Sequence, residues 1–140
     1  MSSNPPTQIK EFCVFLTSTG LRQTEHLQDV KNFGNSVIKY SDERIAVRMV
    51  LDRGKWFIEV SDVPNPHTWF DPALVRDLIA DRGNDELSIE QQIDFVQTHW
   101  PKIRELFTSE NRKETFDKLK ALSELRVQRR FPESNLATKH

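Results

Sequence analysis

The sequence contains little cysteine, little glycine and almost no net charge. Its 140 residues include one Cys and four Gly, and the formal net charge is −1. Cys13 alone can form neither an internal disulfide nor a CxxC metal or redox motif, which favours a reducing compartment. The glycines are isolated, so no Gly-rich phosphate loop is present. A chain near neutrality also lacks the long-range attraction to nucleic acid or anionic lipid that a strongly basic domain exerts.

The sequence also lacks a long apolar run. No stretch reaches the roughly 20 apolar residues that a bilayer crossing requires, and the N-terminus has no basic segment followed by an apolar one. We therefore expect a cytoplasmic protein with no membrane association. Thirteen aromatic residues argue against a disordered chain. The length predicts one domain over residues 7–131, with flexible ends at residues 1–6 and 132–140.

The first half of the chain predicts a helix followed by an antiparallel meander. Helical spacing of apolar residues indicates a helix from about Thr7 to Thr17, which Gly20 ends. Strict alternation predicts strands at residues 37–40, 45–51 and 55–60, and the polar segment 21–30 favours a further strand. Asp52-Arg53-Gly54 is typical of a tight hairpin turn, with a positive φ at Gly54 as a bulged turn needs.

The second half predicts helices. Asp71-Pro72 is a helix start with a capping carboxylate, and Ser88 with Gln91 three residues later forms a capping box. Pro101 interrupts the row of apolar residues along the helix that begins at Ser88, so we expect a kink or break around residues 97–100. A last helix follows at about residues 111–129. The fold class is therefore α+β: an antiparallel β-meander of three or four strands packed against an N-terminal helix and three C-terminal helices.

The residues that could carry chemistry are scattered. The four His residues form no HExxH or HxH motif and have no Cys at ligand spacing, so no metal site and no cofactor are predicted. No GxSxG motif holds a serine for nucleophilic attack. Cys13 lies on the apolar helix face, where burial raises the pKa of a thiol and makes it less reactive. We therefore expect a protein that is not an enzyme.

Charge is unevenly distributed along the chain. Residues 71–99 hold seven acidic side chains against Arg76 and Arg82, whereas residues 100–140 hold ten basic side chains against six acidic ones. One interpretation is that acids favour helix N-terminal turns, bases favour C-terminal turns, and neighbouring helices neutralise each other. The other is that the acidic stretch presents a negative surface that speeds and directs association with a basic partner.

The predicted partner surface combines this acidic stretch with a loop. Its acidic members are Asp77, Asp81, Asp85, Glu86, Glu90 and Asp94. The loop from His67 to Phe70 adds His67 and two aromatic anchors, Trp69 and Phe70, although such aromatics more often belong to a core.

A basic stripe lies near the C-terminus and could contact phosphates. It contains Lys118, Lys120, Arg126, Arg129 and Arg130. It lacks interleaved surface aromatics, which favours a frayed cationic helix end over a nucleic-acid site.

Two segments of the chain resemble a group of small uncharacterised bacterial proteins with an FGN strand and a DRG-x-W-F hairpin. The segments are residues 33–63 (FGNSVIKYSDERIAVRMVLDRGKWFIEVSDV) and 69–79 (WFDPALVRDLI). The resemblance covers about a third of the chain and implies the same α+β plan. It brings no catalytic residue with it. Proteins of this plan are suspected to be immunity proteins, which bind and block a toxin encoded beside them.

The sequence and the resemblance together predict a cytoplasmic binding protein of the toxin-immunity type. It would neutralise a basic toxin domain by occlusion, through the acidic surface. Two alternatives stay open. One is a small-ligand-binding or regulatory module with a pocket between sheet and helices, and the other is a hydrolase with an unrecognised carboxylate or His site.

Overall fold

The computed structural model describes residues 6–29, 35–65, 67–80 and 86–130. Within these ranges the element order is α1 (Thr7–Ser18), β1 (Arg22–Asp29), β2 (Asn35–Ser41), β3 (Ile45–Asp52), β4 (Lys55–Asp62), α2 (Pro72–Ala80), α3 (Ile89–Thr98), α4 (Trp100–Leu106) and α5 (Arg112–Arg130). The strands form one antiparallel meander in the order β1-β2-β3-β4. The predicted α+β class is confirmed, and the sheet has the larger of the two expected strand numbers.

The C-terminal half contains four helices in the described ranges, one more than predicted. The break expected near Pro101 occurs at His99, and it separates α3 from α4. Proline at the first turn of α4 has no N–H to donate to an α3 carbonyl, so the chain starts a new helix there. The break is therefore confirmed, but it makes two helices where the sequence analysis counted one.

Local signals fix the helix ends. The Gly20 N–H donates to Thr17 O at 3.0 Å and the Leu21 N–H to Leu16 O at 3.2 Å, with Gly20 at φ 101°, which is a Schellman ending of α1. At the start of α3, the Ser88 and Gln91 side chains each accept the other's backbone N–H. The end of α1 and the start of α3 both match the sequence prediction.

The β3–β4 hairpin differs from the predicted turn. Asp52 pairs directly with Lys55, so the loop has two residues and the register runs through without a bulge. Arg53 and Gly54 both have positive φ, 52° and 82°. Such a loop needs two left-handed residues, and only one of them is a glycine.

The core lies on one face of the sheet. Alternate residues of the central strands, Ile38, Met49 and Ile58, are buried and form one cluster with apolar side chains of α1 to α5. Phe12, Phe107 and Leu119 belong to this cluster and are fully buried. The helices therefore cover a single face of the sheet, and the opposite face is turned away from them.

The predicted flexible ends fall mostly outside the described residues. Pro6 is described and its carbonyl accepts the Ile9 N–H at the start of α1. Residues 1–5 and the tail 132–140 lie outside the described ranges.

Candidate protein-binding surfaces

Helix α3 is held firmly against the rest of the molecule. Ile93 and Val96 belong to the core, and the capping box at Ser88 satisfies the first turn. The Gln92 side chain accepts the Ile58 N–H at 2.7 Å and donates to Leu87 O at 2.9 Å. A helix anchored in this way displays its outer side chains without a further ordering cost on binding.

The outward side of α3 is acidic. Glu90 and Asp94 are exposed, and their four-residue spacing places them one turn apart on the same side of the helix. The α3 sequence contains no Lys or Arg, and neither carboxylate forms an ion pair with a described residue. On α5, by contrast, Glu114 lies 3.7 Å from Lys118 one turn away. We call Glu90 and Asp94 the α3 acidic pair.

Asp77 does not belong to an exposed acidic surface. Its side chain is buried, and it lies 3.0 Å from Arg76 Nη2 and 3.3 Å from Arg126 Nη1. This arrangement joins α2 to α5, so it fits the interpretation that neighbouring helices neutralise each other. Arg126 is consequently a partner of Asp77 with a side chain only 11% exposed, which removes it from the predicted basic stripe.

The remaining members of the acidic stretch are unevenly placed. Glu86 is exposed, just before the capping box of α3. Asp81 and Asp85 lie outside the described residues, and so do the side chains of Arg129 and Arg130 in the basic stripe.

The loop from His67 to Phe70 splits between two environments. Phe70 pairs with Val60 through two backbone hydrogen bonds of 2.8 and 2.9 Å, and its ring contacts Phe116 in the core. Phe70 is therefore buried and cannot serve as a surface anchor. His67 is exposed, and Trp69 is half-buried with the Arg48 guanidinium 4.1 Å above its ring.

Trp69 and the α3 acidic pair lie on opposite sides of the sheet. Arg48 alternates with the buried Val47 and Met49, so it points away from the helices, and Trp69 lies beside it. Helix α3 packs on the helical side, against β4 and α1. The structure therefore separates the loop and the acidic helix, which the sequence analysis had joined in one surface.

A surface that the sequence analysis missed lies on the sheet face opposite the helices, which we call the open face. The strand registers align Leu27, Val37, Val50 and Phe57 in one row across all four strands. Leu27 is 56% exposed and the other three are half-buried. The signal was present in the sequence, because Val37 and Phe57 each precede a core residue and must point to the other face.

The buried carboxylates have structural partners. Asp62 is fully buried and accepts two hydrogen bonds from Arg112, of 3.0 and 3.2 Å, and one from Asn65 of 2.8 Å. This set fixes the end of β4 against the start of α5. Asp62 and Asp77 thus resemble arginine-bound structural carboxylates more than a general acid or base poised in a cleft.

Cys13 and Tyr40 form a small titratable pair between α1 and β2. Burial raises the pKa of the Cys13 thiol, and a hydrogen bond with Tyr40 partly opposes the shift. Burial also raises the pKa of Tyr40, and the neighbouring thiol adds to the shift. Both groups stay neutral at physiological pH, which agrees with the predicted unreactive cysteine.

No described helix has the length and apolar character needed to cross a bilayer. Within the same ranges, no three His, Cys, Asp or Glu side chains are grouped as a metal ion would require. Comparison of the chain with protein-family models, with curated proteins and with solved structures found no match.

Proposed function

We propose that the chain is a cytoplasmic, non-enzymatic binding protein of the toxin-immunity type, and that it occludes a basic partner domain with the α3 acidic pair. The observation that carries the proposal is the charge of α3, whose exposed carboxylates form no ion pair with a described residue. Glu90 and Asp94 are exposed one turn apart on a helix without a single basic residue. Two exposed carboxylates in the C-terminal half, Glu105 and Glu114, instead have a lysine within 4 Å.

An acidic surface of this kind suits a basic partner for two reasons. Carboxylates that are not already paired lose no internal ion pair when they bind a cation. Opposite charge also raises the association rate, which matters for a protein that must intercept a toxin. Trp69, Phe70 and Asp77 are left out of this acidic surface, because the structure places them elsewhere.

The sequence resemblance supports the immunity class, and the anchoring of α3 supports occlusion as its mechanism. A rigid helix can cover a partner's active surface without rearranging, and no bond need be made or broken.

The test is co-expression with the tagged product of the gene adjacent to the one for this chain. We expect a complex whose affinity falls as salt rises. The double variant Glu90→Lys/Asp94→Lys should weaken the complex by at least about tenfold, since two opposed charge pairs across an interface become repulsive.

The matched control is Glu110→Lys/Asp117→Lys. These two carboxylates are exposed near and on α5, so the control reverses the same amount of charge at another place. An equal loss of affinity in both double variants would show that net charge, and not the α3 acidic pair, governs binding. If the chain forms no complex with the neighbouring gene product, that result would count against the immunity class.

A further inference from the structure

We propose that two copies of the chain associate through the open face of the sheet, with a two-fold axis running along the apolar row Leu27, Val37, Val50 and Phe57. This association is independent of the proposed function. It would leave α3 of each copy on the outside, because α3 packs on the other side of the sheet.

The first support is the apolar row itself. On each strand it lies between polar rows, so it forms a narrow band with polar residues on both sides, and Trp69 lies on the same face against Arg48. Leu27 is 56% exposed, and among the described residues no helix packs on this side. Two such bands placed against each other remove apolar surface from water in both copies at once.

The second support is the charge of the two rows that flank the band. On one side the registers align Glu25, Lys39, Arg48 and Glu59. On the other side, Asp52 and Lys55 face each other on β3 and β4. Each flanking row is two residues from the band, or about 6.8 Å along the strands. A two-fold rotation about the band therefore places each flanking row of one copy over the opposite flanking row of the other copy.

This rotation brings opposite charges together on the two strands nearest the hairpin. Arg48 of one copy lies over Asp52 of the other, and Glu59 lies over Lys55, so the Arg48–Glu59 ion pair within each copy becomes part of a network of four charges. The two-fold axis repeats both contacts, so four opposed pairs form. On β1 the same axis brings Glu25 over position 29, an aspartate, which is a like-charged contact at one end of the band.

The alternative two-fold axis, along the strands between β2 and β3, is disfavoured by charge. In the row of Glu25 and Glu59 it would place these two over each other and Lys39 over Arg48, so that all four contacts of that row are like-charged, whereas in the other row it would place position 29, an aspartate, over Lys55. The sequence of charges in the flanking rows thus selects one way of packing two copies. This complementarity is the reason for choosing a second copy of the chain as the occupant of the open face.

The size of the face predicts the strength of the association. Four strands span about 19 Å and eight residues about 27 Å, so the face covers roughly 500 Å² per copy. Twice this area is about 1,000 Å², which is below the range of specific, stable interfaces and within that of weak ones. We therefore expect a weak, concentration-dependent dimer that is measurable between about 10 μM and about 1 mM.

The experiment is sedimentation equilibrium of the purified chain over this concentration range. Val50→Lys places a charge in the middle of the band and should abolish the dimer. The control Val14→Lys changes a valine of α1 that is 69% exposed on the helical side, and the dimer should persist. Far-UV circular dichroism checks that both variants are folded. A chain that is monomeric at about 1 mM, or a dimer that survives Val50→Lys, overturns the proposal.

A charge-exchange pair tests the axis. The variants Arg48→Asp and Asp52→Arg each put like charges in the central contacts, so each alone should dimerise at least about tenfold more weakly than the original chain. Mixed, they restore opposite charges at both contacts, and the heterodimer should recover most of the affinity. Mixing without recovery would exclude this axis. Because the assay uses no partner protein, its failure leaves the α3 proposal untouched.

Discussion

The Gln92 side chain completes the outer edge of β4, where its Oε1 accepts the Ile58 N–H at 2.7 Å. The same edge is closed two residues later by the backbone pairing of Val60 with Phe70. An exposed sheet edge presents unpaired N–H groups that invite other chains to pair. One glutamine, 34 residues away along the chain, therefore both protects the edge and fixes α3 against the sheet.

Replacing Gln92 by leucine should destabilise the protein by about 1–3 kcal/mol. The substitution keeps the side-chain volume but leaves the buried Ile58 N–H without an acceptor, and that desolvation cost is not recovered. Urea unfolding followed by circular dichroism measures the change. The matched control is Gln97→Leu on the same helix, which should change stability by less than about 0.5 kcal/mol. Equal losses of stability in the two variants would mean that the hydrogen bond between Gln92 and the Ile58 N–H does not stabilise the fold.

The sequence predicted the elements that local chemistry determines. Ser88 with Gln91, Gly20 and Pro101 act within a few residues, and each gave the observed helix end. The alternation in β3 and β4 likewise predicted the faces of both strands. Binary pattern and capping residues are short-range signals, so they can be interpreted without knowing the fold.

The candidate surface could be predicted only in part, because its composition depends on contacts distant in sequence. Asp77 is acidic in the sequence but is neutralised by Arg126, 49 residues later. Trp69 follows His67 closely but turns to the open face because Phe70 pairs with β4. The apolar row appears only when the four strands are in register. Exposure and proximity are therefore tertiary properties that no local pattern contains.

The buried pair of Asp77 and Arg126 should show strong coupling in a double-mutant cycle. Arg126→Leu alone leaves the Asp77 carboxylate with Arg76 as its remaining partner, and we expect a loss of about 1.5–3 kcal/mol. Asp77→Leu alone removes the carboxylate that both Arg76 and Arg126 bind and should be at least as costly. The double variant should lose much less than the sum, because a buried pair replaced by apolar residues removes the desolvation cost as well.

The unfolding free energies of the four chains give the coupling energy directly. A matched cycle on Glu114 and Lys118, which are exposed on α5 at 3.7 Å, should give no more than about 0.5 kcal/mol. Strictly additive losses at Asp77 and Arg126 would contradict the assigned ion pair.

The hairpin turn should be improved by Arg53→Asn. Arg53 has φ 52°, a left-handed conformation that costs a residue with a bulky side chain about 1 kcal/mol and that asparagine tolerates well. Its N–H bond to Asn35 Oδ1 is a backbone contact and survives the change. We expect a gain of about 0.5–1 kcal/mol, seen as a higher urea midpoint. Gly54→Ala at φ 82° meets no atom within 4 Å, yet it should lose about 1 kcal/mol from backbone strain alone.

The Cys13–Tyr40 pair should make stability depend on alkaline pH. Burial raises the pKa of Cys13, and burial with the nearby thiol raises the pKa of Tyr40. In both cases the folded protein retains a proton that the unfolded chain loses first. The contribution is therefore fully present below the unfolded pKa values and is lost as pH rises from about 8.5 through the folded values.

The measurement compares urea midpoints at pH 7 and pH 10 for the original chain, Cys13→Ser and Tyr40→Phe. Each variant removes one titrating group while keeping a side chain of similar size, so each should lose less stability on going to pH 10 than the original chain does. Exposed His67 offers a control, because His67→Gln leaves both groups in place and should keep the original alkaline loss. A loss at pH 10 that is identical in all four chains would show that repulsion among other charges, and not the retained protons of this pair, destabilises the fold in alkali.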